Sequence, residues 1–233
     1  MPPTKRKPTK VEAEVRELLS RELRNQREAE VFESMVAEKR YDIGLSKIRF
    51  DEMQLEHEFQ FAANSINRTY DFSSTVNADS TERAIQTLSR WARMNRKPIT
   101  IRFTSPGGGV IAGYSLYDYL KSISAQGIKT TVIAMGQAAS MAGILLQAGD
   151  RRVMAPQSWL LIHEIAAGTG GSLGAMRDDL KFYERLNEQG VDILAGRSNL
   201  SRDEIKKLMD RKDCWLSAKE ALDGGFIDEV AFA

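Results

Sequence analysis

Two side chains near the middle of the sequence have types and surroundings suited to nucleophilic chemistry. Ser140 stands among small residues, where an apolar run of strand character that breaks at Gly136 gives way to a helical composition from Met141. Backbone N–H groups in the first turn of a helix lack internal partners and favour nearby negative charge. His163 ends a second apolar run. This order predicts a serine nucleophile at a strand-to-helix turn, with histidine as its general base.

Both residues also have an ordinary structural interpretation. Serine is common at helix starts, where its side chain caps a free backbone N–H. A histidine that ends a strand is often only a polar terminus. Ser140 and His163 therefore need support from other parts of the sequence.

That support comes from four motifs: Ser105-Pro-Gly-Gly108, Met135-Gly-Gln-Ala-Ala-Ser-Met141, Leu161-Ile-His163 and Asp213-Cys-Trp-Leu-Ser-Ala218. In order and spacing they closely resemble motifs of the ClpP family, the proteolytic subunits of the Clp protease. The resemblance covers residues 68–233. It implies a serine endopeptidase that cleaves unfolded polypeptides or short peptides inside an oligomeric chamber.

The resemblance also implies a role for each matched residue. Ser140 is the nucleophile, His163 is the base, and Asp213 occupies the position of the residue that orients the base. Asp210 is the local competitor for that role; the residues alone leave the choice open, and the motif favours Asp213.

The family's oxyanion hole would be formed here by the backbone N–H groups of Gly108 and Met141. No cofactor is expected in this chain, because the glycine loop lacks the lysine-serine ending of a phosphate-binding loop. ATP would enter only through an AAA+ partner. With His57, His163 and Cys214 as the full set of histidines and cysteines, a site rich in these ligands cannot be assembled within one chain.

Composition limits the remaining classes of function. The chain has 233 residues, of which 42% are hydrophobic, enough for one sizeable domain with an appendage. Its formal net charge of +1 gives no electrostatic case for nucleic acid or membrane binding. The sequence has no apolar run long enough to span a bilayer. A single cysteine fits a reducing compartment, so we expect a cytoplasmic protein.

Strand and helix patterns alternate from residue 68 onward, which predicts an α/β domain. The predicted strands are 68–76, 98–104, 130–135, 152–154, 159–163 and 226–232, and the predicted helices start near Asp79, Val110, Ser140, Ser172, Ser201 and Ser217. The resemblance implies the ClpP/crotonase fold of repeated strand-strand-helix units. In that family the helix corresponding to 173–197 pairs stacked rings; the alternative is an ordinary helix packed on its own sheet.

The N-terminal part does not share the resemblance. We expect a disordered basic tail at 1–9, a helical extension at 10–44, a linking segment at 45–67 with a surface or packing role for His57, and the protease domain at 68–233. The helix has no glycine or proline before Gly44, and its apolar stripe is interrupted, so it needs a partner surface.

Three classes of function remain open. The first is a ring-forming endopeptidase that works with an AAA+ unfoldase. The second is a ClpP-like phage head maturation protease or structural assembly homologue with a capsid-type partner. The third is an acyl-CoA enzyme of the crotonase relatives, which lack the serine nucleophile. Glu164-Ile165 replaces the family's usual Gln-Pro after the base, which leaves substrate preference open.

Overall fold

The computed structural model describes residues 41–53 and 67–231 continuously, and residues 17, 27, 30, 31, 33–35 and 37–39 individually. The chain divides into two compact units, Met1–Gln60 and Phe61–Ala233. The predicted disordered tail and His57 lie outside the described residues. In the described part of the chain, no helix combines the length and the apolar character needed to cross a membrane.

Every described residue of the first unit is helical, and helix α1 is described over 41–53. The helix passes through Gly44, so the predicted break there is wrong. A glycine inside a helix costs only about 1 kcal/mol relative to alanine, which favourable neighbours can offset. Large apolar side chains among the described residues of this unit are exposed, namely Val31, Met35, Tyr41, Ile43, Leu45, Ile48, Phe50 and Met53.

The second unit contains a seven-stranded sheet with helices, which confirms the predicted α/β class. Its elements are β1 (Thr69–Phe72), α2 (Ala78–Met94), β2 (Ile99–Ser105), α3 (Val110–Ala125), β3 (Thr130–Ala139), α4 (Met141–Leu146), β4 (Arg151–Met154), β5 (Trp159–Ile162), α5 (Leu173–Gly196), α6 (Arg202–Met209), β6 (Cys214–Ser217), α7 (Ala218–Asp223) and β7 (Glu229–Val230). The strand order is β1-β2-β3-β4-β7, and β5 pairs with both β3 and β6. All pairs are parallel except β5 with β6.

The core lies between this sheet and the helices beside it. Strand β2 alternates along its length, with Ile99, Ile101 and Phe103 buried. The ring of Phe103 stacks on that of Phe72 at 4.9 Å, and Trp91 of α2 is completely buried. Each large apolar side chain buried in this way contributes roughly 1.5–3 kcal/mol. The parallel sheet is thereby a rigid platform for the loops at its edge.

Strand β3 is longer than predicted, because it continues past Gly136 to Ala139. Its first half pairs with β4 and its last three residues pair with β5. Against β2 the register shifts, from Phe103 opposite Ala134 to Ser105 opposite Ala138, so β3 carries two extra residues at this bulge. The extension takes the chain beside β5 before α4 begins.

Other elements also differ from the predictions: β1 ends at Phe72 and not at 76, and β6 was not predicted as a strand. Helix α2 is capped by Asn77 in a reciprocal pair with Ser80, whereas the sequence predicted a start at Asp79. The last strand covers only Glu229–Val230, because the chain first buries Phe226 and Ile227 as it leaves α7. The reciprocal caps predicted from Ser201 and Ser217 are confirmed, each with the glutamate three residues later.

Candidate active site

Strand directions bring the three predicted triad positions to one edge of the sheet. Ser140 follows β3 and His163 follows β5, and these strands are parallel, so their carboxyl ends lie at the same edge. Asp213 precedes β6, which is antiparallel to β5, so the amino end of β6 lies at that edge too. Residues distant in sequence therefore meet through sheet topology.

Ser140 occupies a strained turn between β3 and α4. Its backbone has φ 56° and ψ −124°, a region that costs a non-glycine residue of order 1–3 kcal/mol and is typical of functional turns. Its N–H donates to the Leu161 carbonyl at 2.9 Å, which ties the turn to β5. The Ser140 side chain makes no helix-capping hydrogen bond. The ordinary interpretation of this serine as a helix cap is therefore wrong.

The glycine loop after β2 packs directly against this turn. Gly107 has φ +88°, and a Cβ placed there would lie 2.5 Å from the Ala139 carbonyl oxygen and 2.9 Å from the Met141 nitrogen. Gly108 has φ +142°, and its Cβ would lie 2.3 Å from the Val76 carbonyl oxygen. Neither position has room for a side chain. Glycine at both positions thus permits main-chain contact between the loop and the serine turn.

Two backbone donors remain available beside Ser140. The bridge between Val76 and the glycine loop uses the Gly107 carbonyl and the Gly109 N–H, which leaves the Gly108 N–H outside it. Met141 is the first residue of α4, where an N–H has no acceptor within the helix. The two residues predicted for an oxyanion hole thus lie on the two sides of the contact between the glycine loop, which carries Gly108, and the Ser140 turn, which leads into Met141.

A cavity of about 470 Å³ contains most of the predicted site. Ser140, Met141, Gly108 and His163 all line it. Most of its remaining wall is apolar and comes from Val110, Tyr114, Ile144, Ile162, Ile165, Ala166, Leu186, Leu194 and Met209. Asp213 does not line this cavity. The cavity has the size and apolar character of a small-ligand or side-chain pocket.

The three predicted triad side chains make no hydrogen bond to one another in the described structure. The last pair of the β5–β6 ladder is Ile162 with Cys214, so His163 and Asp213 are the next residues in the same register. His163 is half-buried and Asp213 is exposed. Neither bonds to the other, and Ser140 does not bond to His163; catalytic hydrogen bonds often tighten only with substrate bound. Asp210 instead ends α6 and pairs with Arg211.

Electrostatics distinguishes the nucleophile candidates at this edge. Burial raises the pKa of the Cys214 thiol, and Glu220 raises it further against the opposing effect of Lys212. A thiol with a raised pKa is a poor nucleophile at neutral pH, because the thiolate is the reactive form. The surroundings of Cys214 therefore do not favour this thiol as a nucleophile.

Sequence reasoning missed two polar residues of the cavity wall. Tyr114 of α3 donates from its hydroxyl to the Leu186 carbonyl at 2.9 Å, and burial followed by the nearby Tyr117 raises its pKa to about 12. Asn187 of α5 accepts from the Ile165 N–H at 3.1 Å. Each lies within a helix with no local motif, so only the packing of α3 and α5 identifies them.

Comparison with known proteins identifies the family of this chain. The family model described as Clp protease matches residues 59–233. The chain belongs to the Clp protease family. The match includes the glycine loop, the Ser140 turn, the residues after β5 and the start of β6. The resemblance predicted from the four motifs is thereby confirmed.

Several curated relatives are similar to this family member. The ATP-dependent Clp protease proteolytic subunit of Bacteroides fragilis is 37% identical over 136 residues, which cover 58% of this chain and 64% of the relative. Subunit 3 of Rhodococcus jostii is 32% identical over 166 residues, covering 70% of this chain and 80% of the relative. Subunit 1 of Chlamydia muridarum is 32% identical over 176 residues, covering 72% and 88%. The chain thus spans less than two thirds of the first of these relatives.

Proposed function

We propose that this protein is a serine peptidase that cleaves polypeptides through an acyl-enzyme. The observation that supports it most is the strained turn that presents an uncapped Ser140 in the same cavity as His163. A strand-to-helix turn of this kind exposes a nucleophilic hydroxyl beside free backbone donors. Membership in the Clp protease family supports the same activity.

In the proposed reaction, Ser140 Oγ attacks the carbonyl carbon of a peptide bond while His163 accepts the hydroxyl proton. The carbonyl π electrons move to oxygen, and the N–H groups of Gly108 and Met141 stabilise the resulting oxyanion. The C–N bond then breaks, and His163 gives its proton to the leaving amine. Water then attacks the ester carbonyl as His163 accepts one of its protons, the ester C–O bond breaks, and His163 returns the proton to Ser140 Oγ.

Asp213 is proposed to fix the tautomer of His163 and to stabilise its protonated form. The β5–β6 register supports this choice, since directly opposed residues in antiparallel strands have Cα atoms only about 4.5–5.5 Å apart. Asp210 lies three residues further from that register and already faces Arg211.

The cavity supports a preference for substrates with an apolar side chain next to the cleaved bond. Its wall beyond the reacting groups is mainly aliphatic and aromatic. An apolar side chain buried there would gain roughly 25 cal/mol for each Å² removed from water. Unfolded chains and short peptides are the proposed substrates.

We further propose that the protein works as a homo-oligomer, in stacked rings that enclose the site. The exposed apolar side chains of α5 support this, in particular Leu173 (65% exposed), Leu180 (56%) and Phe182 (48%). The relatives carry "ATP-dependent" in their names. For this chain, ATP would therefore act through an AAA+ partner, and the single cysteine supports a cytoplasmic setting.

The exposed apolar side chains of α1 favour a second candidate partner. Tyr41, Ile43 and Phe50 are each more than half exposed, so this helix presents a surface suited to another protein. In this variant of the proposal the peptidase chemistry is unchanged, and α1 binds a capsid-type partner instead of an unfoldase. Pull-down with each partner class distinguishes the two.

A fluorophosphonate probe tests the proposed chemistry directly. We expect the wild-type protein to be labelled at Ser140 and to cleave a fluorogenic peptide with an apolar residue before the scissile bond. Ser140→Ala should lose both labelling and cleavage while keeping the wild-type melting temperature. Ser158→Ala is not a suitable control because Ser158 is buried and hydrogen-bonded, and Ser172→Ala would remove the N-cap of α5, so exposed Ser73→Ala serves instead. Wild-type turnover in Ser140→Ala would reject the assignment.

A further inference from the structure

The segment that follows His163 forms part of the cavity wall without belonging to a strand. Residues 163–170 have no regular secondary structure, and the sheet pairing of β5 ends at Ile162. Ile165 and Ala166 of this segment line the cavity together with Ser140. Because the ladder no longer holds the backbone here, other contacts must fix its position.

Three hydrogen bonds supply those contacts, and all three come from helix α5. They join the Ile165 N–H to Asn187 Oδ1 (3.1 Å), the Tyr183 hydroxyl to the Gly168 carbonyl (3.2 Å), and the Thr169 hydroxyl to Asp179 Oδ2 (2.6 Å). The segment and the helix run in opposite directions, so residues later in the segment bond to residues earlier in α5. One helix thus holds the segment near its start and near its end.

The three helix residues share one face of α5. Asp179, Tyr183 and Asn187 are spaced by four, which places them one above another on a helix. Within residues 173–185, Asp179 and Tyr183 alone are half-buried and all the others are exposed. Their burial therefore marks the side of the helix against which the segment lies.

We propose that Asp179, Tyr183 and Asn187 act as a clasp of positioning residues, which holds segment 164–169 as a fixed wall of the substrate pocket. The proposal rests on the proposed peptidase function, because the wall matters only if a substrate occupies the cavity. None of the three residues takes part in bond making. They act through the backbone that they hold.

Asn187 is the member closest to the chemistry. It lines the cavity itself, and the N–H that it accepts belongs to the second residue after His163. A partly buried backbone N–H left without an acceptor costs free energy, so the segment would move to find another partner. Asn187 thereby sets where Ile165 stands relative to a bound substrate.

Hydrogen exchange of the full-length protein tests the clasp without any use of activity. We expect the backbone amide of Ile165 to be protected in the wild type and to exchange faster in Asn187→Leu, with the melting temperature unchanged. Asn187→Asp keeps an acceptor oxygen and should keep the protection. Equal exchange at Ile165 in the wild type and in Asn187→Leu would overturn the proposal.

Steady-state peptide cleavage tests what the clasp does for the substrate. We expect Asn187→Leu to raise KM about tenfold, the effect of one unsatisfied backbone donor, with a smaller change in kcat. Ile165→Pro removes the backbone N–H that Asn187 accepts. In that background Asn187→Leu should have little further effect, so the double variant should have the same KM as Ile165→Pro alone. A merely structural role for Asn187 would not produce this result.

Neighbouring exposed residues provide matched controls for the outer end of the clasp. Asp179→Ala should raise KM about threefold through the loss of one hydrogen bond, whereas Asp178→Ala, at the adjacent exposed position, should not change it. Tyr183→Phe should resemble Asp179→Ala. Identical effects of Asp178→Ala and Asp179→Ala would contradict the clasp.

The two sets of measurements separate the clasp from the peptidase proposal. If the wild-type protein neither reacts with the fluorophosphonate nor cleaves peptide, the peptidase proposal fails. Hydrogen exchange at the Ile165 amide would still test whether Asn187 holds the segment. If the wild type is active but Asn187→Leu matches it in KM, the clasp fails as a substrate wall and the peptidase proposal stands.

Discussion

Ile162 and Cys214 form the last antiparallel pair of β5 and β6, and the next residue of each strand line is a member of the predicted triad. His163 and Asp213 are separated by fifty positions in the sequence, yet each directly follows or precedes this last pair, so both lie at the same edge of the sheet. The same register favours the proposed role of Asp213 over Asp210, which lies three residues earlier at the end of α6.

The first prediction is that Asp213→Asn lowers kcat by a factor on the order of 10⁴, as expected for a triad whose base has lost its orienting carboxylate. Asp210→Asn is the matched control and should stay within about threefold of the wild type, since Asp210 forms only an exposed pair with Arg211. Peptide turnover of both variants is the measurement. A larger loss in Asp210→Asn would reverse the assignment.

The second prediction concerns the glycine loop. Gly107→Ala should lower kcat by about 10²-fold or more, because its Cβ would push the loop away from Met141 and separate the two oxyanion donors. Gly109→Ala is the control, since its Cβ would meet only ordinary contacts at 3.5 Å and beyond. Circular dichroism should show both variants folded. Equal turnover in the two variants would argue against the proposed oxyanion hole.

The third prediction concerns the ion pair between Arg152 and Asp228 and its dependence on pH. Arg152 is buried and donates from its side chain and its backbone to Asp228. Burial alone raises the pKa of Asp228, but the hydrogen bonds from Arg152 and the positive charges of Arg152 and Arg197 outweigh it and lower that pKa. The pair therefore stabilises the fold above the ordinary aspartate pKa and loses this contribution as pH falls through the lowered value.

We accordingly expect Asp228→Asn to reduce the free energy of unfolding by about 2 kcal/mol at pH 7, less than a fully buried pair because Asp228 is 40% exposed. The difference from the wild type should shrink below about pH 4, where the carboxylate of the unfolded chain is protonated. Glu229→Gln, which removes the exposed pair with Arg151, serves as the control. Urea titrations at several pH values measure both, and a difference that grows on acidification would contradict the sign.

The fourth prediction concerns assembly. Native mass spectrometry at micromolar concentration should show rings, and Leu180→Lys should reduce the largest species because it charges an exposed apolar site on α5. Gln189→Lys introduces the same charge at an exposed polar position and should leave the assembly intact. A wild-type protein that is monomeric and fully active would exclude the enclosed chamber.

The fifth prediction concerns the N-terminal unit. Deleting residues 1–60, up to the boundary between the two units, should leave a folded catalytic unit that still cleaves short peptides but has lost partner binding. Deleting only 1–44 cuts inside a helix that continues to at least residue 53, so it should give lower soluble yield. If the catalytic unit fails to fold after the deletion, the N-terminal unit is not an appendage.

Local patterns in the sequence predicted six of the seven strands of the sheet and two positions of the predicted site, but they did not predict β6. The turn at Ser140 and the strand before His163 could be predicted, because small residues and apolar runs determine local structure. The continuation of the helix through Gly44 could not be predicted, because the cost of one glycine can be offset by the helix propensities of the residues around it. Asn77 was missed as a cap because Asp79 and Glu82 give a similar signal two residues later.

Contacts across the sheet were beyond local patterns. The choice between Asp213 and Asp210 depends on the β5–β6 register, which pairs residues some fifty positions apart. Asn187 and Tyr114 reach the cavity through the way α5 and α3 pack. Such packing follows from the whole fold, so only the structure reveals it.

The bulge in β3 has a consequence for how this sequence tolerates insertions and deletions. Since β3 gains two residues against β2 between Ala134 and Ala138, both alanines keep the same buried side of the sheet. Side chains alternate with a period of two, so removing one residue there would move the buried side chain of Ala138 to the opposite face of the sheet. Removing two would preserve the alternation but draw the serine back along the strand by roughly 6.6 Å, at about 3.3 Å per residue. The length of this strand is therefore constrained by the alternation of its side chains as well as by the position that Ser140 must occupy.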